Sequence, residues 1–212
     1  MTTSEANPIM DMNVRDGTQS EEEIEKLLSP QSLAHVVLRT ANYQTMVDFY
    51  KTFLGAHAAF ETPGAAFLAY DDQHHRVGIT AFNNFEKPKH PASSIEHIAF
   101  IFVNLNYLAT AYEQRNARGT RPTWCLNYRP TTSMSYSDPD GNRSGTQVEN
   151  VETMDEAIPY IKSAAFQQNP IGTDFDPEEF VRRVRSWEGE DSIQAQPNDG
   201  PHNLPTEVPT GI

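Results

Sequence analysis

The fold is decided by two short stretches, LAHVVLRT at residues 33–40 and IEHIAFIFV at residues 95–103. Both are rich in apolar and β-branched residues, a composition that predicts buried strands. A histidine stands at the same place in each stretch, His35 in the first and His97 in the second. The two histidines are 62 residues apart, so the pattern indicates an internal repeat.

The residues that follow each stretch have the same order. Apolar residues at helical spacing predict a helix over 42–54 that ends at Gly55, and a second helix over 105–118 that ends at Gly119. Three strand candidates follow each helix, near 56–61, 65–70 and 76–82 in the first copy and near 122–127, 132–137 and 144–150 in the second. We therefore predict an α+β fold of two tandem βαβββ units with mixed sheets.

The charge distribution divides the chain further. Residues 1–30 carry seven acids and two bases, and residues 189–212 carry four acids and no base. Such acidic segments bury too little apolar surface to offset chain entropy, so both are predicted to be disordered. The paired units then occupy 31–152, as 31–83 and 94–152, and a helical extension occupies 153–188.

Composition excludes several classes of function. The formal net charge is −13 and no stretch forms a basic face, so nucleic acid is not an expected partner. No apolar run is long enough for a membrane span, and the first residues do not form a secretory signal. A single cysteine, Cys125, rules out an internal disulfide framework. A cytoplasmic protein is expected.

Two βαβββ units that each open with a histidine-bearing strand resemble the vicinal oxygen chelate superfamily, which includes glyoxalases, bleomycin-resistance proteins and type I extradiol dioxygenases. The resemblance covers roughly residues 31–188. Four motifs are most similar to the catechol-cleaving branch: DDQHHRVGI (71–79), IEHIAF (95–100), TTSMSYSDPDGN (131–142) and NPIGTDFDPEE (169–179). The resemblance implies curled sheets that form one vicinal oxygen chelate domain around a single site, followed by C-terminal helices.

The resemblance also implies roles for three histidines. His35 and His97 correspond to the pair that binds a divalent metal, which is Fe(II) in the dioxygenases. Two histidines and one carboxylate form the facial triad typical of non-haem iron oxygenases. His75 corresponds to a histidine outside the metal shell that exchanges protons with substrate and oxygen. The residues alone also allow a purely structural interpretation. In it, His35 and His97 are hydrogen-bonded core residues and His75 is a surface histidine.

The third metal ligand is where this chain departs from the family pattern. The family places a glutamate three residues after the asparagine of the DPDGN turn, and this chain has Gly145 there. Gln147 has the same strand parity and is a candidate for a weak neutral ligand. Glu149 lies about 13 Å further along the strand, at roughly 3.3 Å per residue, so a ligand role would need a large bulge. The resemblance therefore leaves open an iron site without the usual glutamate, or no metal.

Further departures affect the same pocket. The dioxygenase pattern has a histidine where this chain has Asn127-Tyr128, and a tyrosine where it has Ser135. Tyr136 is one residue off and has the opposite parity. Three residues are candidates for an aromatic pocket lining, although core packing explains each equally well: Trp124, Tyr128 and Met134.

Three functions follow from these observations. The first is an extradiol-dioxygenase-like oxidoreductase that acts on an aromatic, phenolic or polyketide-type molecule, as in secondary metabolism, through a two-histidine iron site. The second is a metal-independent isomerase, cyclase or lyase that uses His35, His75, His97 and Tyr128 for acid–base chemistry. The third is a non-catalytic protein that binds a planar small molecule. All three are compatible with a homodimer.

Overall fold

The computed structural model describes residues 29–82, 95–186 and 189–195. The chain divides into residues 1–33 and residues 34–212. In the first part only residues 29–33 are described, and they lie in irregular backbone. Most of the predicted acidic N-terminal segment therefore falls outside the described residues, as does the tail after residue 195. Within the described ranges, no helix has both the length and the apolar character that a bilayer crossing requires.

The first βαβββ unit forms a four-stranded mixed sheet. Its elements are β1 (Val36–Thr40), α1 (Tyr43–Leu54), β2 (His57–Glu61), β3 (Ala65–Ala69) and β4 (Val77–Ala81). The strand order is β1-β4-β3-β2, with β1 parallel to β4 and the remaining pairs antiparallel. A parallel pair needs a long crossover connection, and α1 with the β2–β3 hairpin provides it.

The second unit repeats this arrangement. Its elements are β5 (His97–Ile101), α2 (Leu105–Asn116), β6 (Trp124–Asn127), β7 (Thr131–Ser137) and β8 (Arg143–Glu149). The order β5-β8-β7-β6-β9 includes a fifth strand, β9 (Thr173–Asp174), antiparallel to β6. These two sheets confirm the predicted α+β fold with two tandem βαβββ units.

The C-terminal section is mainly helical. It contains α3 (Met154–Ile161), α4 (Ala164–Gln168), α5 (Pro177–Arg185) and α6 (Glu190–Gln194). Helix α6 lies in the tail that the sequence predicts to be disordered, and its Ile193 is only 3% exposed. Asn127 also donates a hydrogen bond to the Gln194 carbonyl at 3.0 Å. The composition of this segment alone predicts disorder. The buried Ile193 side chain and the hydrogen bond from Asn127 explain why α6 is ordered against the second unit.

Helix α1 shows how the sequence sets the packing of the first unit. Met46, Val47, Tyr50 and Phe53 recur at helical spacing and are all buried. Gly55 ends the helix in the left-handed conformation, with φ of 62°, where glycine has no Cβ penalty. The helix thus presents one apolar face and stops at the residue that the sequence predicts.

The two units are joined through buried polar and aromatic contacts. The Tyr50 hydroxyl donates to Asp138 at 3.1 Å and lies 3.2 Å from the Ser144 hydroxyl. The rings of Phe53 and Tyr136 meet edge-on, with centroids 5.1 Å apart. Since Tyr50 and Phe53 belong to α1 and the other residues to the second unit, these contacts fix how the repeats pair.

Asp138 is expected to contribute strongly to the stability of the contact between the two units. It is 4% exposed, and its carboxylate accepts hydrogen bonds from the Tyr50 hydroxyl, the Asp140 amide, and both the backbone amide and side chain of Asn142. Asp138→Ala should lower the free energy of unfolding by about 3 kcal/mol, because several buried donors lose a charged acceptor. Urea denaturation measures this loss. Asp72→Ala, at an exposed position, is the control; equal midpoints for the two variants would contradict the assignment.

Candidate functional site

A cavity of about 550 Å³ lies on the face of the second sheet that is turned away from the core. This volume is within the range of small-molecule sites. Strands β7 and β8 contribute most of its lining, and residues near β5, β6 and α4 complete it. The lining consists of Glu96, His97, Trp124, Tyr128, Thr131, Ser133, Ser135, Arg143, Gly145, Gln147 and Ile171. We call it the second-sheet cavity.

Strand alternation explains which side chains reach the second-sheet cavity. Successive residues of a strand point to opposite faces of the sheet. Ser133 and Ser135 of β7 line the cavity, whereas Met134 and Tyr136 are 0% and 1% exposed and belong to the hydrophobic core. The structure therefore places Met134 in the core and not among the pocket residues. Tyr136 also faces the core, as its parity predicts.

Gly145 forms part of the cavity floor. It pairs in register with Ala99 on β5, so two small residues lie side by side. A Cβ added at Gly145 would lie 3.6 Å from the Ala99 Cβ, an ordinary contact distance. The missing side chain therefore leaves the floor open, and the backbone would still accept a larger residue here.

His97 opens β5 and is held by a neighbouring carboxylate. Its Nδ1 hydrogen-bonds with one oxygen of Glu96, and the other oxygen of Glu96 accepts from the Arg143 guanidinium at 2.5 Å. The His97 side chain is 52% exposed. Because Nδ1 is occupied by Glu96, Nε2 is the ring nitrogen that can contact a ligand.

His35 and His75 lie together on the first unit. His35 directly precedes β1, and its ring centroid is 4.4 Å from that of His75. His75 in turn stacks on Phe67 at 4.7 Å, and its Nδ1 is 2.5 Å from that of exposed His74. Burial, with the nearby His35 and His74, lowers the pKa of His75. Neither His35 nor His75 lines the second-sheet cavity. Among the described contacts, neither residue has a hydrogen bond or a ring contact to His97.

Trp124 and Tyr128 supply the aromatic part of the cavity. Burial, and then the charge of Glu96, raise the pKa of Tyr128, so its hydroxyl stays neutral at physiological pH. The Trp124 indole nitrogen is buried and has no hydrogen-bond partner among the described residues. A buried unpaired donor is costly, and an oxygen of a bound molecule would relieve that cost.

The remaining sequence candidates have clear positions. Gln147 lines the cavity, and its amide donates to Glu149 at 3.1 Å. Glu149 ends β8 and is exposed, and it is not part of the lining. Burial raises the pKa of Cys125 to about 12, which agrees with its interpretation as a buried apolar residue.

The described residues do not fit the iron site of two histidines and one carboxylate. Among residues 29–82, 95–186 and 189–195, no group of three or more His, Cys, Asp or Glu side chains is arranged to hold a metal. Gly145 offers no ligand at the position of the family glutamate, and Gln147 is engaged with Glu149. His35 and His97 each have their own partners instead.

Glu96 and Arg143 also line the site, although no sequence motif indicated either residue. Arg143 belongs to an Arg-x-Gly sequence on β8, and the first unit has the same pattern at Arg76. Arg76 donates to the carbonyl of Ala34, the residue before His35, at 3.2 Å, and Arg143 donates to Glu96, the residue before His97. In each unit, therefore, an arginine from the last strand region donates a hydrogen bond to the residue that precedes the histidine. Aligning the two repeats is the signal that would have identified both residues.

The family model of the Glyoxalase/Bleomycin resistance protein/Dioxygenase superfamily matches residues 32–144. Among curated relatives, biphenyl-2,3-diol 1,2-dioxygenase 2 of Rhodococcus globerulus is 38% identical over 145 residues, which are 68% of this chain and 76% of the relative. Biphenyl-2,3-diol 1,2-dioxygenase 3 of the same organism is 34% identical over 68% of this chain and 77% of its own length. The lactoylglutathione lyase structure from Agrobacterium tumefaciens has 16% identity and a TM-score of 0.46, and covers 56% of this chain and 94% of the lyase. The chain belongs to the glyoxalase/bleomycin resistance/dioxygenase superfamily.

Proposed function

We propose that the protein is an extradiol-dioxygenase-like enzyme that acts on an aromatic, phenolic or polyketide-type small molecule in the second-sheet cavity. The observation that carries this proposal is the lining, which combines aromatic surface with a histidine held by a carboxylate. The relatives support it, because both are dioxygenases of biphenyl-2,3-diol. The aromatic class of the proposed substrate rests on these two relatives.

The cavity suits a planar molecule that carries oxygen atoms. Trp124 and Ile171 offer apolar surface against which an aromatic ring can pack. The unpaired Trp124 indole N–H and the neutral Tyr128 hydroxyl are hydrogen-bond donors for hydroxyl or carbonyl oxygens of the ligand. His97 Nε2 is then the group that exchanges a proton with such an oxygen.

Iron bound by His35 and His97 would complete the likeness to the dioxygenases, but the described residues do not fit such a site. A facial triad needs a third ligand, and no group of three His, Cys, Asp or Glu side chains in the described ranges is placed to hold a metal. We therefore assign no reaction step to a metal. The steps that this chain's own residues provide are binding of the ring, orientation by hydrogen bonds, and proton transfer at His97.

A second candidate is a metal-independent isomerase, cyclase or lyase, and the contact between Glu96 and His97 favours it. When Nε2 takes a proton from a substrate, the ring becomes positively charged. The Glu96 carboxylate at Nδ1 stabilises that charge and fixes the ring orientation. The same pair then returns the proton to another atom of the substrate.

Binding is tested with a protein that has a single tryptophan in the cavity. The chain has two tryptophans, Trp124 and Trp187, and Trp187 lies outside the described residues. In a Trp187→Phe variant, biphenyl-2,3-diol should change the Trp124 fluorescence in a saturable way, because the ring packs on the indole. Ser135→Phe, added to Trp187→Phe, would fill the cavity without introducing a second tryptophan, so the same fluorescence titration should show binding at least tenfold weaker. Equal affinity with and without the cavity-filling residue would contradict the site.

Oxygen use separates the candidate chemistries. A dioxygenase consumes one oxygen molecule per substrate molecule, and it loses activity under nitrogen or after treatment with a ferrous-iron chelator. The acid–base enzyme converts its substrate equally well in both conditions. An oxygen electrode and mass spectrometry of the product distinguish the two, and saturable binding with unchanged ligand would identify a binding protein instead.

A further inference from the structure

A second cavity, of about 510 Å³, lies where the C-terminal end of α1 meets α2 and shares no lining residue with the second-sheet cavity. We call it the interhelix cavity. Three cationic side chains line it, Lys51, Arg115 and Arg118, and its described lining contains no acidic residue. The chain as a whole has a formal net charge of −13, so the lining of this cavity has the opposite sign of charge from the chain.

Arg115 is the buried member of the three. It is 5% exposed, and its guanidinium donates to the backbone carbonyls of Ala111 and Phe53. Its central carbon lies 4.7 Å from the centre of the Phe53 ring. All of these partners are neutral. The Arg115 Nε has no hydrogen-bond partner among the described residues, although it is buried.

The surroundings compensate the Arg115 charge only in part. The carbonyl of Phe53 belongs to the C-terminal end of α1, where the helix dipole contributes about half a negative charge. Lys51 is paired with Glu61 at 2.6 Å, and the Arg118 guanidinium donates to the Gln114 carbonyl at 2.8 Å. No carboxylate reaches Arg115 in the described part of the chain. A buried guanidinium without a counter-charge is strongly unfavourable.

We propose that the interhelix cavity binds an oxyanion of the phosphate class, either inorganic phosphate or the phosphate group of a small organic molecule. Phosphate oxygens would accept from the free Arg115 Nε and from Arg118, since guanidinium groups recognise phosphate by directed, charge-assisted hydrogen bonds. Phe102 and Leu54 also line the cavity and offer apolar surface to an organic group. The proposal is independent of the function proposed for the second-sheet cavity.

A bound anion would act on the pairing of the two repeats. Helix α1 belongs to the first unit and α2 to the second, and Arg115 already joins them through the Phe53 carbonyl. An anion between Lys51, Arg115 and Arg118 would add attraction across the same junction. The full-length protein should therefore unfold at a higher temperature in phosphate than in chloride of equal ionic strength.

The test is calorimetric titration of the full-length protein with inorganic phosphate, with ionic strength held constant by sodium chloride. We expect one saturable site per chain and at least a tenfold loss of affinity in Arg118→Gln. This variant should fold, because Arg118 is exposed and lies two residues beyond the end of α2. Arg121→Gln, which removes a nearby exposed arginine outside the cavity, should bind phosphate like the wild type.

Two further arms complete the experiment. Arg115→Lys keeps the charge and loses the planar donor set, so it should also weaken phosphate binding, with folding checked by circular dichroism. Phenyl phosphate that binds more tightly than inorganic phosphate would support an organic ester as ligand, and equal affinity would support free phosphate. Absence of a saturable signal in the wild type, or unchanged affinity in Arg118→Gln, would overturn the proposal.

Discussion

Gly145→Glu is expected to raise the ferrous-iron affinity of the protein more than 100-fold. The substitution places a carboxylate on the floor of the second-sheet cavity, on the face that His97 lines. The backbone accepts it, since an added Cβ lies 3.6 and 3.7 Å from Ala99 atoms. Residues that only support metal ligands contribute about 10–100-fold to metal affinity, and a direct ligand with a full charge should exceed that.

Two matched variants isolate the cause of this gain. Gly145→Gln adds a side chain of the same size without the charge, so it should bind ferrous iron much more weakly than Gly145→Glu. Adding His97→Ala to Gly145→Glu should remove the gain, because the histidine is then missing from the site. Anaerobic titration with ferrous iron, followed by elemental analysis, measures all three. Equal affinity of the glutamate and glutamine variants would show that position 145 does not face a metal site.

His97→Ala is expected to lower turnover of the aromatic substrate by about 10²–10⁴-fold, the usual contribution of a positioned acid–base group. Glu96→Gln should cause a smaller loss, because it keeps a hydrogen-bond partner at Nδ1 and removes only the charge. Steady-state kinetics of both variants at saturating substrate measure the effect on the chemical step.

The matched control for His97 is His75→Ala. The family resemblance assigns His75 a role in proton exchange, whereas the structure stacks it on Phe67, beside His35, outside the second-sheet cavity. If the chemistry takes place in that cavity, His75→Ala retains turnover within a few-fold of wild type. A larger loss in His75→Ala than in His97→Ala would move the site to the first unit.

Much of this fold could be predicted because it follows from local patterns. The helical spacing of Met46, Tyr50 and Phe53 predicts α1, and Gly55 marks its end. Strand parity places Ser135 on the open face of β7 and Tyr136 in the core. The same parity argument excludes Met134 from the cavity, since it lies two residues from Tyr136 and therefore faces the core with it.

Other features depend on contacts between residues far apart in the chain. Strand β9 has two residues, and it exists because its backbone pairs with Leu126 and Asn127 of β6. Strands β1 and β5 are shorter than the apolar stretches that predict them. His35 therefore precedes β1, and His97 is the first residue of β5. The ion pair between Glu96 and Arg143 joins residues 47 positions apart. Apolar periodicity carries no information about such pairs, although comparison of the two repeats does.

A crystal structure of the protein with biphenyl-2,3-diol tests most directly whether the second-sheet cavity is the substrate site. We expect the ring to lie in the second-sheet cavity against Trp124, with a hydroxyl oxygen within hydrogen-bond distance of His97 Nε2. A ring bound instead beside His75 and Phe67 on the first unit, with the second-sheet cavity filled by water, would contradict it.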